Sequence, residues 1–338
     1  MIRKIDLLRI SHYLLTLLVI GLLFAPGEQA EAAPKKRIIF DTDMGPDYDD
    51  VGALAMLHVL ADMKEATLLG TIASNRHEKV VPCIGVINTW FGRPTLPIAA
   101  PTLDGVYLTS GHKKRWTDHL PAQYPHPIAE GKEVADAVEV YRFLLAQSAS
   151  ESVVIVTVGF MTNIAALLRS EPDKYSPLPG RELVRQKVAL WVAMAGKFPS
   201  GKEFNVEKDA RSALYAVENW PGEILFSGFE IGEKVLTGKR VISLPQFTGP
   251  VRDTYTLCMN EGDREGRPSW DQTAVLAAVR GIEPYFGEEK GKMTVLPDGS
   301  NRWETNPAGK HTRLLPKMPA DALAEVIETL MVTPPKGR

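Results

Sequence analysis

Five aspartates, Asp41, Asp43, Asp47, Asp49 and Asp50, fall within ten residues of this chain, and the sequence on both sides of them is built for burial. Arg37–Phe40 ("RIIF") reads as a strand, and Val51–Ala61 as a helix that is apolar nearly all round. A strand apolar on both faces belongs inside a parallel sheet covered by helices. The acidic loop therefore falls at the carboxyl end of a sheet strand, where open α/β sheets bind ligands.

Asp49 and Asp50 stand at the start of the helix, where free backbone N–H groups favour negative charge. That helps two carboxylates, not five. Like charges about 5 Å apart repel by ~3 kcal/mol per pair at an effective dielectric near 20. Ionised groups converging there need a counter-charge, and carboxylates without Cys or His nearby suit a hard cation, Ca²⁺ or Mg²⁺. Two other readings fit the loop alone: a solvated acidic turn, and a phosphatase of the haloacid dehalogenase kind with Asp41 as nucleophile. The apolar flanks weigh against the first and the Asp49-Asp50 pair against the second.

Similar alternation runs on along the chain. Thr67–Ala73, Leu96–Ala99, Val153–Val158, Val188–Ala193 and Glu223–Phe226 read as further strands, most of them continuously apolar. Between and after them lie helices: a stripe over Val134–Leu145, then Thr162–Arg169, Val206–Asn219, Trp270–Val279 and Ala320–Leu330. This predicts an α/β fold with an open, mostly parallel sheet flanked by helices, a Rossmann-like core. Segments 102–131, 240–268 and 291–316 interrupt the rhythm; the last, with "LPDGS" as a turn, reads as a hairpin. No composition shift marks a linker, so 33–338 reads as a single domain.

Residues 1–32 are of another kind. A basic start, the apolar run Tyr13–Ala25, the breakers Pro26 and Gly27, and Ala30-Glu31-Ala32 make the pattern of a signal peptide cleaved after Ala32. Thirteen apolar residues fall short of the roughly 20 that span a bilayer. An exported protein, periplasmic or secreted, is expected, with no membrane attachment once the signal is removed. A net charge of −2 gives no basic field for nucleic acid. Cys83 and Cys258 are too few for a disulfide framework or a zinc site, and sequence leaves open whether they pair.

Other chemistry-bearing residues sit at strand ends. Asn75 follows the second strand in "TIASNRHEK", as a turn residue or an amide for a sugar hydroxyl. Gly159 and Thr162 mark a tight strand–turn–helix in "VTVGFMTNIAALL", with the carbonyl of Val158 aimed out of the sheet. Glu203 and Asn205 precede a helix that either could cap. "RPSWDQTAVLAAV" offers Ser269 and Gln272 as a capping box, which leaves Trp270 and Asp271 in the first turn without a structural reason.

These pieces resemble the nucleoside hydrolases, the inosine/uridine-preferring nucleoside N-ribohydrolases, in an exported bacterial-type form. The likeness rests on Asp41-Thr42-Asp43-x-Gly45 with Asp49-Asp50, Asn75, "GFMTNIAALL", "EFN" at Glu203–Asn205, and Asp271, in the family's order from Lys36 to Gly281. It implies one Ca²⁺ held by Asp43, Asp50, the carbonyl of Val158 and Asp271. It implies a pentose gripped by Asp49, Asn75, Glu203 and Asn205, and Asp43 as the base that deprotonates the attacking water. A small-molecule nucleoside or pentosyl compound would be the substrate, cleaved to free base and ribose. Members are often homodimers or homotetramers, although these residues show no interface.

Three features depart from the family pattern. Pro46-Asp47-Tyr48 lengthens the acidic loop, so Asp47 competes for a role. Trp270 stands where members accepting both base types have a His, and so favours a purine-type base stacked on its ring. Lys197 stands where members often have an amide contacting the sugar, which leaves room for a different or substituted sugar. The insert 102–131, with His112, Trp116, His119 and His126, reads as a lid or as a plain surface loop. Two other functions fit the same residues: an exported calcium-dependent sugar- or nucleoside-binding protein without turnover, and a hydrolase of another pentosyl compound.

Overall fold

The computed structural model describes residues 35–112, 114–128 and 133–337; the expected signal peptide lies outside them. Ten strands form one sheet: β1 (Lys36–Thr42), β2 (Ala66–Ala73), β3 (Ile98–Ala99), β4 (Val153–Thr157), β5 (Val188–Met194), β6 (Ser200–Lys202), β7 (Ile224–Ser227), β10 (Phe286–Val295), β11 (Ser300–Thr305) and β12 (His311–Pro316). Their spatial order is β3-β2-β1-β4-β5-β7-β12-β10-β11-β6, parallel from β3 to β12 and antiparallel beyond. β8 (Leu236–Thr237) and β9 (Arg267–Pro268) form a separate antiparallel pair.

The central position of β1 explains its composition. Ile38 and Phe40 enter the core on one face and Ile39 the core on the other, because successive side chains point to opposite sides. On the first face pack helices Asp49–Asp62, Trp270–Arg280 and Ala320–Met331, and on the second Ala137–Ala146, Thr162–Arg169 and Ala210–Asn219. Helix Asp49–Asp62 is buried from Asp49 to Leu60, lying between the sheet and two other helices. The α/β class read from the sequence is the observed one.

Several local expectations change. The hairpin expected at 291–316 is a three-stranded antiparallel unit, and its last strand, β12, joins the main sheet beside β7. The helix expected over Val206–Asn219 breaks into Phe204–Lys208 and Ala210–Asn219, because the Asp209 carboxylate caps the second piece. Helices Val80–Trp90 and Gly180–Lys187, and Trp116–Gln123 and Pro250–Met259 within two of the interruptions, have no counterpart in the sequence reading. Cys83 and Cys258 are separate buried thiols, and burial pushes both well up from the ordinary range. Among the described residues no helix is long and apolar enough to cross a membrane.

Candidate active site

β1 ends at Thr42, and the chain runs through Asp43 to Tyr48 before helix Asp49–Asp62 begins. Beside it, the exit of β4 passes directly beneath Asp43. A Cβ on Gly159 would lie 2.4 Å from the backbone N of Asp43 and 2.6 Å from its Cβ, so only glycine allows this approach. A pocket of about 250 Å³ opens there, at the carboxyl ends of the parallel strands. Asp43, Asp47, Asp49, Val158, Glu203, Asn205, Trp270 and Asp271 line it, with Met194, Phe204, Phe229 and Arg267.

Asp43, Asp49, Asp50 and Asp271 are all buried. One Asp50 oxygen accepts the Thr42 hydroxyl, and the other is buried with no partner. Burial, and next the charge of Asp50, raise the Asp43 carboxyl well above the usual carboxylate range. Asp271 is raised likewise by burial and by Asp49, Asp50, Asp47 and Asp43, so these groups share one field.

Arg267 is the residue that sequence reasoning missed. Its guanidinium pairs with Asp47, lies 2.8 Å from Asp49 Oδ1, and sits 3.7 Å from Asp263. It also lies 5.1 Å from the ring centres of both Tyr48 and Trp270. Burial pushes the Asp49 carboxyl up, Arg267 pulls it back, and the balance stands at about 6. Among the described residues, Asp47, Asp49 and Asp50 form the group whose carboxylate oxygens lie within 4.8 Å of one another. This tight triplet shares only Asp50 with the set expected from sequence, and the guanidinium already engages its other two members.

Glu203 combines two roles. Its oxygens accept the N–H groups of Asn205, Gly196 and Val206, capping helix Phe204–Lys208 while lining the pocket. Burial pushes its carboxyl up to about 7 against those bonds. Asn205 donates its amide N–H groups to the carbonyls of Val158 and Met194, which leaves Oδ1 as an acceptor. Trp270 donates its indole N–H to the Phe229 carbonyl at 2.8 Å, and the two rings lie 5.2 Å apart as one aromatic wall.

A chain with this fold and this acidic pocket can be set against known proteins. A family model described as inosine-uridine preferring nucleoside hydrolase matches residues 38–313. The chain belongs to that family. The pyrimidine-specific ribonucleoside hydrolase RihA of Klebsiella pneumoniae is 26% identical over 181 residues, 51% of this chain. The match spans 54% of that relative, about half its length. Among solved structures, a plant nucleoside hydrolase superposes with a TM-score of 0.66 at 18% identity, covering 89% of this chain and 100% of the other. The inosine-uridine preferring nucleoside hydrolase of Bacillus anthracis gives 0.65 at 17%, covering 88% and 99%. These structures share the nucleoside hydrolase fold with this chain.

Against the residues read from the sequence, three placements differ. Asp50 is buried but is not among the lining residues of the pocket. Asn75 lies outside the pocket lining: its amide donates to the carbonyls of Asp43 and Leu108 and accepts from the N–H groups of Leu108 and His77. It braces Asp43 from behind with every polar atom in use. The expected capping box is not formed either. The Ser269 hydroxyl bonds Thr237 at 2.7 Å and Gln272 bonds the Tyr255 hydroxyl at 2.9 Å, so tertiary partners take both side chains. The insert packs along the acidic loop rather than in the pocket. His112 lies edge-on to Tyr48 at 5.2 Å and faces Glu261 at 3.5 Å, and no described insert residue lines the pocket.

Proposed function

We propose that this protein hydrolyses the N-glycosidic bond of ribonucleosides to free base and ribose. The observation that carries the reading is one pocket lined by five carboxylates, those of Asp43, Asp47, Asp49, Glu203 and Asp271, with Arg267 as its one cationic lining residue among the described residues.

The donor set fits a hard divalent cation. Every candidate ligand is an oxygen, one Asp50 oxygen is buried without a partner, and no ion pair engages Asp43 or Asp271 among the described residues. Because Asp47 and Asp49 are committed to Arg267, we assign the ion to Asp43, Asp50, the Val158 carbonyl and Asp271, and identify it as Ca²⁺. Such an ion supplies Lewis acidity that lowers the pKa of water and orients hydroxyl oxygens.

The remaining work falls to the chain's own side chains. Asp43 takes a proton from the attacking water, whose oxygen joins the anomeric carbon as the bond to the base nitrogen breaks. Asp49, Glu203 and Asn205 Oδ1 accept hydrogen bonds from the pentose hydroxyls and fix the ring for attack. The same carboxylates stabilise the positive charge of an oxocarbenium-like transition state. Asn75 acts through the Asp43 backbone. The wall of Trp270 and Phe229 receives the base, and a purine-type base covers it best.

The deciding measurement is sugar release from inosine, adenosine, guanosine, uridine and cytidine by the mature protein with Ca²⁺. Faster release from the purine nucleosides supports the assignment of the wall. No release from any of them at high enzyme concentration removes the hydrolase reading. A second reading, a pentosyl-binding protein without turnover, draws on the described lining residues of the pocket, among which no His stands ready as an imidazole acid for the departing base. It predicts tight binding that survives Asp43→Asn. Residues 1–32 are proposed as an export signal, which N-terminal sequencing of the secreted or periplasmic protein would test.

A further inference from the structure

The pocket's one lining cation is not used up by its carboxylates. Arginine carries five N–H donors in a planar fork. At Arg267 the Nε donor goes to Asp49 Oδ1 at 3.2 Å, and Nη2 serves Asp49 at 2.8 Å and Asp47 as well. Nη1 makes no hydrogen bond among the described residues. Its ion-pair partner, Asp263 Oδ2, lies 3.7 Å away and already accepts the Tyr48 hydroxyl at 2.7 Å.

The backbone holds this group in place. Arg267 pairs with Thr237 in the β8–β9 ladder, and two residues on the Ser269 N–H donates to the Gly232 carbonyl at 3.2 Å. The side chain, 12% exposed, lines the pocket, and its Cζ lies 5.1 Å from the centre of the Trp270 ring. A base received by the Trp270 wall therefore lies beside the guanidinium.

Cleavage makes demands of opposite sign. The five lining carboxylates favour the positive charge growing on the sugar ring, and for the same reason they oppose negative charge growing on the departing base. Among the described lining residues no His, Cys, Tyr or Lys is present to give that base a proton. Glu203 spends both oxygens accepting N–H groups. Asn205 and Trp270 spend their side-chain N–H groups on carbonyls. That leaves Nη1. We propose that Arg267 is a catalytic residue for the leaving group: its guanidinium donates from Nη1 to the base as the glycosidic bond breaks, and holds the charge there without giving up a proton.

This deepens the hydrolase reading and rests on it. The hydroxyl of water joins the anomeric carbon and its proton goes to Asp43. The electron pair of the broken C–N bond stays on the base, which takes a proton from solvent, while Asp43 returns its own to solvent. A guanidinium does not deprotonate in proteins, so it stabilises charge rather than passing a proton. Because Nε and Nη2 of the same group hold Asp49, one side chain links the grip on the sugar to the departure of the base.

The test compares inosine with 4-nitrophenyl β-D-ribofuranoside, whose leaving group is a stable anion that needs no such help, using the mature protein supplied with Ca²⁺. In R267M, kcat/KM for inosine should fall by about 10²- to 10³-fold, the usual effect of removing one charge-stabilising donor. Loss of the support to Asp49 weakens both substrates alike. The readout is therefore the ratio of kcat/KM for the nitrophenyl riboside to that for inosine, which should rise about tenfold or more. R267K keeps a charge for Asp49 but has a single nitrogen that Asp47 and Asp49 both claim, so it should move the ratio in the same direction. A ratio unchanged in R267M, or in R267K should R267M not fold, overturns the proposal and leaves the hydrolase reading standing. Cleavage of neither compound by the parent protein overturns both.

Discussion

Arg267 holds Asp49 through two nitrogens on one oxygen, Nε at 3.2 Å and Nη2 at 2.8 Å, although 218 residues separate them. The same guanidinium pairs with Asp47. The buried carboxylates are thereby divided: Asp47 and Asp49 have a cation within the protein, while Asp43, Asp50 and Asp271 enter no ion pair among the described residues and are the ones proposed to hold the metal.

Removing the guanidinium leaves buried Asp49 unpaired. Arg267→Met should destabilise the chelator-treated protein by about 3–5 kcal/mol, the usual cost of breaking a buried pair from one side. Excess Ca²⁺ should recover part of this, so the metal-induced rise in Tm should be larger in the variant than in the parent. An unchanged denaturation midpoint with chelator would show that the guanidinium does not compensate these carboxylates.

Asp43 is assigned the proton from water. Asp43→Ala should lower kcat for sugar release by roughly 10²- to 10⁴-fold, the range for loss of a general base. It should also loosen Ca²⁺, which titration calorimetry reads separately. Full activity in this variant would move the base elsewhere.

Metal-free stability should fall as pH rises. Burial lifts Asp41 to about 7 despite bonds from Asn163 and Tyr141, lifts Glu203 to about 7, and leaves Asp49 at about 6. Each is raised above its unfolded value, so the folded protein keeps protons the unfolded chain has released. This contribution is complete below the unfolded values, near pH 4, and is lost as pH climbs through about 6 to 7. Thermal melts with chelator should show Tm decreasing across that window, less steeply in Asp41→Asn. A Tm that rises there would contradict these assignments.

Gly159 offers a test of geometry alone. In Gly159→Ala the new methyl would lie 2.6 Å from both Asp43 Cβ and Ser74 Oγ, so Asp43 must shift. The expected cost is about 1–3 kcal/mol of stability. Sugar release should fall at least about tenfold, since catalysis depends closely on placement. Parent-like turnover would show that Asp43 tolerates displacement.

What could be read from the sequence follows the range of the interactions involved. Asp41 to Asp50 are contiguous and framed by apolar segments, so the floor of the site was visible before folding. Asp271 and Trp270 stood out because a helix start gave them no reason to be there. Arg267 carried no such signal: it is one of several arginines in a segment of Gly, Pro and mixed charge, and its partners Asp47 and Asp49 lie more than 200 residues away. The Ser269 and Gln272 pattern misled because Thr237 and Tyr255 compete for the same side chains. β6 and β12 escaped notice for a related reason. His311 of β12 meets Ile224 of β7 across 87 positions, while β6 has only 3 residues and its Ser200 finds Arg302 of β11 across 102.

That last pairing has a further consequence. The lining aspartates Asp43, Asp47 and Asp49 follow β1 in the interior of the sheet, whereas Glu203 is moored through β6 to β11 at the outer margin. Lengthening or trimming the β10–β11 turn would slide that mooring, and Glu203 with it, while leaving the aspartates that follow β1 in place. Evolution could in this way retune which molecules are admitted without rebuilding the machinery that cuts them.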